Sequence, residues 1–516
     1  MAEPITYPFL PIIYVRGYAA TMAEIEETTA DPYMGFNLGS TMLRQDADKK
    51  PVRFIFESPL LRLMKDHQYV DAFHNGGDGY ESGTAPARSV WVFRYYEKVS
   101  DSLGDGQRVS MEQFAADLRR FILTVRNAIC GDDAAQRAKF KVYLVAHSMG
   151  GLICRCYLQN ICHFGAPDAA DNAALELVPG QANPHYVDKA YTYGTPHNGI
   201  DLAGLNAPDL GAIDKLQIAN FNRDRMREYL KLPQSDSSVN VLGGAFPNDR
   251  FFCFIGSDYK DYGAFMGLSK HATGPMSDGL VMMTNAYVDG APRAVDYRSH
   301  SGHYGIVNSE SGYQNLRRFL FGERRITATL QVDELPLAKP IQEKKDAGSE
   351  IKGSYYFDVA SQVRGAANYY LNERRYAQAS SILKTYDELT KEKTPVYLFT
   401  GYLLEAARRA NDTALMFSID FGIRVPAFEV DRKFWFDEHF EGFLYQESIT
   451  FAVRRNTVRY GLASVNGLGA APTVADVTET NDGARELGIA LATRKGALPG
   501  FQGKLMLRVE PWNAQT

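Results

Sequence analysis

Cysteine is scarce in this sequence, while long apolar runs and an excess of positive charge are missing. Only five of the 516 residues are cysteine, and the odd number argues against a disulfide framework. No run of about 18 apolar residues occurs, so we expect no membrane-spanning helix. The formal net charge of −5 gives no reason to expect nucleic acid as a partner.

The N-terminal segment lacks the features of a secretory signal peptide. It has no basic region ahead of its apolar residues, and Glu3, Pro4 and Pro8 interrupt it. We therefore expect reduced thiols and a cytoplasmic protein, with non-classical export as the open alternative.

A recognisable metal-binding pattern is missing as well. Cys154, Cys156 and Cys162 lie near His163 in the chain, but their spacing matches no common zinc motif. The three cysteines fall on a stretch with the pattern of a buried helix, where cysteine serves as a small apolar side chain. The sequence predicts no metal site and no cofactor.

What the sequence does contain is a strand, a tight turn and a helix in direct succession. The apolar stretch 142–145 predicts a buried strand, and a helical pattern begins at Leu152. Ser148 stands between them, with the small residues Ala146 and Gly150 two positions away on either side. This is the pattern of a nucleophile elbow, in which the chain turns so sharply that only small neighbours fit and the serine Oγ is exposed.

Other patterns around this turn predict a parallel sheet. A capping box at 110–113 begins a helix that extends to about Cys130. A strand, this helix and the strand before Ser148 form a βαβ unit, which implies parallel strands. The segment 36–105 is predicted to be mainly loop apart from one strand. Further strands are predicted at 11–16, 89–96, 187–195 and 250–256, a lid insertion at about 200–249, and a last helix at 314–321.

A serine nucleophile needs a base to take its proton and an acid to orient that base. In α/β-hydrolases the chain order is serine, acid, histidine, and Ser148, Asp278 and His303 follow it. We predict these three residues to be catalytic. Asp258 and His300 remain open as the alternative acid and base, and each of these side chains could instead serve only in loop hydrogen bonds.

Two backbone N–H groups are predicted to bind the oxyanion. Gly17 follows the strand 11–16 and lets the backbone come close to a reacting carbonyl, so the N–H of Tyr18 is the first candidate. The N–H of Met149, directly after the nucleophile, is the second. The residues that bind the rest of the substrate are not identifiable from the sequence.

Five short motifs together resemble α/β-hydrolases of the bacterial lipase/esterase type, with the GPI inositol-deacylase-like group as a near relative. The motifs are VRGYAAT, AHSMGG, YGTPHNG, SDGLV and HSGHYGIVNS, within residues 8–322. The resemblance implies an α/β-hydrolase fold. It also matches Tyr18, Met149, Asp278 and His303 to the positions of the two oxyanion donors, the acid and the base. Arg16 and Ala146 depart from the usual family pattern, which leaves the substrate open.

The last third of the chain differs from the rest in composition and in residue pattern. Two prolines and a charged, polar stretch predict a linker over 326–353. From 354 to 516, stretches that alternate apolar and polar residues predict a β-rich, sandwich-like domain, although 376–390 could form a helix. The sequence thus predicts an α/β-hydrolase domain with a mostly parallel sheet over 1–325, followed by an accessory β domain, and the length of 516 residues also favours two domains.

These features predict a serine carboxylester hydrolase, an esterase or lipase that works through an acyl-enzyme. We expect a small-molecule or lipid ester as substrate and transient contact with a lipid surface. Three alternatives remain open: a phospholipase, an acyl hydrolase of amides or thioesters, and a non-catalytic binding protein with a hydrolase fold. Fold analogy favours ester hydrolysis but does not choose the ester.

Overall fold

The chain divides into two compact units, one formed by 1–293 and 298–320 and the other by 294–297 and 321–516. The architecture is taken from a computed structural model. It describes residues 4–19, 22–45, 51–73, 79–104, 106, 109–200, 219–236, 238–261, 276–302, 304–363, 382–407, 414–424, 428–430, 433–435, 443–454, 457–467, 473–492 and 500–513.

The first part of the chain builds a seven-stranded sheet and a separate hairpin. The strands are β1 (Ile12–Val15), β2 (Ser40–Gln45), β3 (Pro51–Phe56), β4 (Val70–Asp71), β5 (Ser89–Phe93), β6 (Val142–His147), β7 (Val187–Tyr193), β8 (Phe251–Gly256) and β9 (Arg293–Asp296). The large sheet has the order β4-β5-β1-β6-β7-β8-β9, and β2 pairs with β3. In this sheet order, each strand from β4 to β8 is parallel to its neighbours in that range.

Helices accompany these strands along the chain. They are α1 (Met22–Ala30), α2 (Pro59–His67), α3 (Met111–Cys130), α4 (Ala134–Lys139), α5 (Met149–Cys156), α6 (Cys162–Phe164), α7 (Arg223–Leu230) and α8 (Glu310–Phe321), with a π-helical turn at Tyr157–Ile161. The predicted capping box at the start of α3 is present, because Ser110 Oγ accepts from Gln113 N.

The central strands are buried along nearly their whole length. Every residue of β5, β7 and β8 is buried, and so is all of β6 except its last residue. Continuously buried, apolar strands are typical of a parallel sheet with helices on both faces. Together with the sharp turn that leads from β6 into α5, this sheet confirms the predicted α/β-hydrolase fold.

The second part of the chain is built from antiparallel sheets. Its strands are β10 (Arg324–Glu334), β11 (Ile351–Val363), β12 (Ile382–Thr385), β13 (Val396–Leu403), β14 (Leu415–Arg424), β15 (Phe428–Val430), β16 (Lys433–Trp435), β17 (Phe443–Val453), β18 (Val458–Leu462), β19 (Thr473–Val474), β20 (Thr478–Glu479), β21 (Arg485–Ala492) and β22 (Gln502–Pro511). Two helices accompany them, α9 (Lys339–Asp346) and α10 (Ala463–Asn466).

Two sheets account for these strands. One has the order β13-β10-β22-β21-β20, and the other has the order β16-β15-β11-β14-β17-β18-β19 with β12 also paired to β11. Burial alternates along β11, β21 and β22, so each of these strands has one buried and one more exposed face. The predicted β-rich character of this part of the chain is confirmed.

Two predictions along the chain need correction. The stretch 326–353, predicted to be a linker, contains most of β10 and all of α9. Pro340, which suggested an irregular segment, stands in the first turn of α9, where a missing N–H costs nothing. The segment 36–105, predicted to be mainly loop, holds the β2–β3 hairpin and α2 in addition to the expected strand.

The predicted lid is described only in part. Residues 201–218 lie outside the described residues, and the remainder of 200–249 contains α7. Of the stretch 376–390, which could have formed a helix, residues 382–385 form β12 and a helical turn follows.

Candidate active site

Ser148 occupies a strained backbone position between β6 and α5. Its φ and ψ are 52° and −125°, a region that non-glycine residues rarely adopt and that often marks a functional site. The end of β7 holds the turn in place, since Ser148 N donates to Tyr193 O over 2.9 Å and Thr195 Oγ1 donates to Ser148 O over 2.8 Å. The predicted elbow at Ser148 is therefore present.

The small residues that follow Ser148 are required by close packing. A Cβ atom on Gly150 would lie 2.3 Å from Val15 O, and one on Gly151 would lie 2.3 Å from Thr195 Oγ1. Both distances are far below a normal contact, so α5 packs against β1 and the end of β7 only because these positions are glycine.

A chain of hydrogen bonds leads from Ser148 to two further side chains. His300 Nε2 lies 3.0 Å from Ser148 Oγ, and His300 Nδ1 lies 2.7 Å from Asp278 Oδ2. The other oxygen of Asp278 accepts from the backbone N–H groups of Leu280 and Val281 at 3.0 and 2.8 Å. All three side chains are buried. A serine, an imidazole and an oriented carboxylate in this order match the geometry of a catalytic triad.

The position beside Ser148 that the sequence analysis assigned to His303 is occupied by His300. His303 itself lies outside the described residues. Backbone pairing explains the choice, because His300 N donates to Asp278 O over 2.9 Å and this brings His300 next to the acid. Asp278 is the carboxylate beside the His300 ring, whereas Asp258, the alternative acid, accepts from Lys260 N.

The loop after β1 lies directly against Ser148. A Cβ atom on Gly17 would lie 2.6 Å from Ser148 Cβ. Two tyrosines hold this loop, since Tyr95 OH donates to Arg16 O over 2.9 Å and Tyr96 OH accepts from Ala19 N over 2.8 Å. The packing allows the backbone of this loop to approach a carbonyl bound at Ser148.

Of the two predicted oxyanion donors, Tyr18 belongs to this loop and Met149 is the first residue of α5. A helix N-terminus carries unpaired N–H groups and favours negative charge. Their role as oxyanion donors stays a prediction.

His147 is a neighbour of the triad that the sequence analysis missed. Its Nε2–H donates to the backbone carbonyl of His300 over 2.9 Å, and the two imidazole rings pack with their centroids 4.9 Å apart. Burial, reinforced by the nearby His300, lowers the pKa of His147 well below its ordinary value. His147 therefore stays neutral beside the triad histidine. The one feature of the sequence that could have pointed to His147 is its position immediately before Ser148.

A cavity of about 350 Å³ lies beside the site. Three of its lining residues directly precede or follow site residues: Arg16 comes before Gly17, His147 before Ser148 and Ser301 after His300. The cavity thus borders the segments of Gly17, Ser148 and His300.

The five cysteines are free and buried, and burial raises the pKa of Cys253 to about 11. Among the described residues, no three His, Cys, Asp or Glu side chains group closely enough to hold a metal ion. Within the same part of the chain, no helix has both the length and the apolar character needed to cross a membrane.

No protein-family model and no curated protein matches this chain. Similar solved structures include the mature form of the lipase BlEst2 from Bacillus licheniformis, with 17% identity, coverage of 62% of this chain and 94% of that chain, and a TM-score of 0.31. Phospholipase PlaB from Legionella pneumophila is 12% identical, and the match covers 80% of this chain and 86% of that chain with a TM-score of 0.31. EstA from Clostridium botulinum is 14% identical, and the match covers 62% of this chain and 88% of that chain with a TM-score of 0.30.

Because these TM-scores are low, the likeness adds nothing to what the chain's own geometry shows. The relationship to the GPI inositol-deacylase-like group stays a prediction. By its own sheet order, its elbow and its order of serine, acid and histidine, the chain has the architecture of an α/β-hydrolase.

Proposed function

We propose that this chain is a serine hydrolase of carboxylic esters, with Ser148, His300 and Asp278 as its catalytic triad. The observation that carries the proposal is the continuous hydrogen-bonded path from Ser148 Oγ through the His300 ring to Asp278. The strained backbone of Ser148 supports the same assignment, because a strained nucleophile turn presents its Oγ to a substrate.

In this mechanism Ser148 Oγ attacks the carbonyl carbon of the ester and gives its proton to His300 Nε2. Asp278 accepts the Nδ1–H of His300 and stabilises the imidazolium that forms. When the tetrahedral intermediate collapses, the bond to the alcohol oxygen breaks and His300 returns the proton to that oxygen. Water then attacks the acyl-enzyme by the same route, releases the acid and restores Ser148.

Negative charge develops on the carbonyl oxygen during both attacks. We assign its stabilisation to the N–H groups of Tyr18 and Met149, the first in the loop packed against Ser148 and the second at the N-terminus of α5. Preorganised donors of this kind are typically worth about 10²–10³ in rate each.

The first experiment is the hydrolysis of p-nitrophenyl esters by the wild type and by Ser148→Ala. We expect turnover by the wild type and a loss of about 10⁴-fold or more in kcat for Ser148→Ala at unchanged thermal stability. Ser102→Ala, a change at an exposed serine, serves as the control and should keep full activity. Activity in folded Ser148→Ala equal to the wild type would refute the assignment.

A second measurement separates the ester hydrolase from its alternatives. A fluorophosphonate should form a covalent adduct on Ser148, detected by peptide mass spectrometry, because only an activated serine reacts. Parallel assays with a phospholipid, a thioester and an anilide then rank the acyl substrates. Failure to form the adduct would favour a non-catalytic binding protein.

A further inference from the structure

Apolar side chains form one part of the wall of the cavity beside the triad, namely Met34, Phe36, Leu38, Phe56 and Val307. Four glycines and five polar residues, among them Arg16 and His147, form the rest. Phe36 and Phe56 are buried. Of the insertion that the sequence analysis expected to cover the site, none of the described residues, 200, 219–236 and 238–249, lines the cavity. The walls come instead from the segment before β2, from the β2–β3 hairpin and from the loop that carries His300.

The volume of the cavity restricts what it can hold. A cavity of about 150 Å³ is known to hold one benzene molecule, so about 350 Å³ accommodates roughly a dozen non-hydrogen atoms. This is near the lower end of the range for ligand pockets, about 300–1,000 Å³. One medium-length chain fits such a volume, and two long chains do not.

We propose that this cavity binds the acyl chain of the substrate and selects esters with a single acyl chain of about eight to twelve carbons. The proposal rests on the proposed function and names the substrate class of the same site. Its basis is the apolar lining, the volume and the contact of the cavity with the segments of Ser148, His300 and Gly17. Burial of each methylene against the apolar part of the wall strengthens binding about fourfold, so a cavity of this size discriminates strongly by chain length.

Leu38 marks the entrance to the cavity. It lines the cavity and is nevertheless 63% exposed, which places it where the cavity meets solvent. An exposed leucine at the mouth of an apolar cavity gives an entering acyl chain a continuous apolar path, in keeping with the general meaning of exposed apolar surface.

Val307 provides the test of volume. We expect the wild type to hydrolyse p-nitrophenyl decanoate with a higher kcat/KM than p-nitrophenyl butyrate. Val307→Trp should lower the decanoate-to-butyrate ratio by about tenfold or more, because the indole fills the cavity, whereas Val307→Ala should not lower it. Val178→Trp, at an exposed position away from the cavity lining, is the control. A ratio in Val307→Trp within about twofold of the wild type, or a wild-type optimum at acetate, would overturn the proposal.

Leu38 provides the test of the entrance. Leu38→Glu should lower the same ratio by about tenfold, while Leu103→Glu should leave it unchanged. Leu103 is 60% exposed and does not line the cavity, so the two variants add the same charge at equal exposure. An equal effect of the two variants would argue against an entrance at Leu38. If Val307→Trp instead alters selectivity among butyrate esters of different alcohols, the cavity holds the alcohol and the acyl assignment is wrong.

The cavity can also be tested without turnover. Calorimetry should detect binding of decanoate to the folded Ser148→Ala protein and about tenfold weaker binding when Val307→Trp is added. Binding that is unaffected by Val307→Trp refutes the cavity proposal even if Ser148→Ala is inactive. Full activity of Ser148→Ala refutes the proposed function, whatever the binding result, so the two failures are distinguishable.

Discussion

His300 is held by its backbone as well as by its ring. Its N–H donates to Asp278 O and its carbonyl accepts from His147 Nε2, while the two ring nitrogens face Asp278 and Ser148. Together these four contacts fix the orientation of the imidazole. A base held in this way needs no rearrangement before it takes the proton, which is the advantage of preorganisation.

The two histidines of the motif give the sharpest prediction for single residues. His300→Ala should lower kcat for a short ester by about 10⁴-fold, because Ser148 loses its base. His303→Ala should stay within about threefold of the wild type. Kinetics with p-nitrophenyl acetate, together with thermal unfolding of both variants, checks this. A larger loss in His303→Ala than in His300→Ala would restore the base predicted from the sequence.

His147 should act as a positioning residue through its bond to the His300 carbonyl. His147→Phe keeps an aromatic ring but loses the donor. We expect kcat to fall about fivefold with KM for acetate unchanged, since one net hydrogen bond is worth about 1 kcal/mol. His147→Gln can still donate from its side-chain amide and should recover most of this loss.

Rescue by the conservative variant separates this positioning role from mere packing. His147→Phe should lower kcat at unchanged KM, whereas His147→Gln should resemble the wild type in both constants. Equal kinetics for the two variants would show that only the bulk of the side chain matters.

From the sequence alone Ser148 and Asp278 could be predicted to lie together, but not that His300 rather than His303 lies between them. Ser148 lies in a local strand-turn-helix pattern, and the D-G turn after Asp278 is also local. The choice between His300 and His303 depends on a long-range pairing, in which the backbone of His300 meets that of Asp278. Two histidines three positions apart in one loop carry no local signal of which one makes that pairing.

At the scale of elements, the loop from β1 to α1 and the turn from β6 to α5 form one packed unit. Gly17 lies against Ser148, and Gly150 lies against the end of β1. Tyr95 and Tyr96 fix the loop from the other side. The position of the predicted oxyanion donor Tyr18 therefore depends on the close contact between Gly17 and Ser148.

Gly17→Ala tests this packed unit. The added Cβ would lie 2.6 Å from Ser148 Cβ, so the loop must move away from the nucleophile. We expect kcat to fall by about 10²–10³, the usual result of losing an oxyanion donor. The measurement is kcat for a short ester alongside the thermal unfolding midpoint.

Ala19→Gly is the matched control in the same loop. It removes a methyl group, adds no clash and keeps the backbone N–H that bonds Tyr96 OH. Its kcat should stay within a few-fold of the wild type. If Gly17→Ala has no larger effect than Ala19→Gly, the loop does not hold an oxyanion donor in place.

Elements with a strong local pattern could be predicted, whereas the partner with which a strand pairs could not. The buried strands β5, β6, β7 and β8 and the capped helix α3 all have an apolar or capping pattern of their own. In β10, too, apolar and polar residues alternate over 326–332, but the prolines that follow it led to the prediction of a linker. The pairing of β10 with β22, about 180 residues further on, has no local signal.

For the whole molecule, partly buried histidines couple stability to pH. Burial, with a contribution from a nearby cation, lowers the pKa of both His67 and His185 to about 4. In the unfolded chain their pKa is about 6.5. Between these values the unfolded state binds protons that the folded state does not, so the free energy of unfolding falls as the pH drops from about 6.5 to about 4.

His185→Asn should reduce this pH dependence. His185 Nδ1 accepts from Val187 N over 3.0 Å, and an asparagine Oδ1 can accept the same bond without titrating. We expect the loss of stability between pH 7 and pH 4 to be smaller by roughly 1–3 kcal/mol in the variant. Chemical denaturation at a series of pH values measures it. An identical pH dependence in the two proteins would mean that His185 titrates normally in the folded state.

The backbone of Ser148 has a consequence for how such a protein evolves. A serine at φ 52° and ψ −125° holds strain on the order of 1–3 kcal/mol, and a glycine would relieve it at once. On the proposed function, a lineage released from the need for catalysis would gain stability by replacing Ser148 with glycine. Selection for activity, acting against the preference of the fold, would then be what keeps a serine at the tip of this turn.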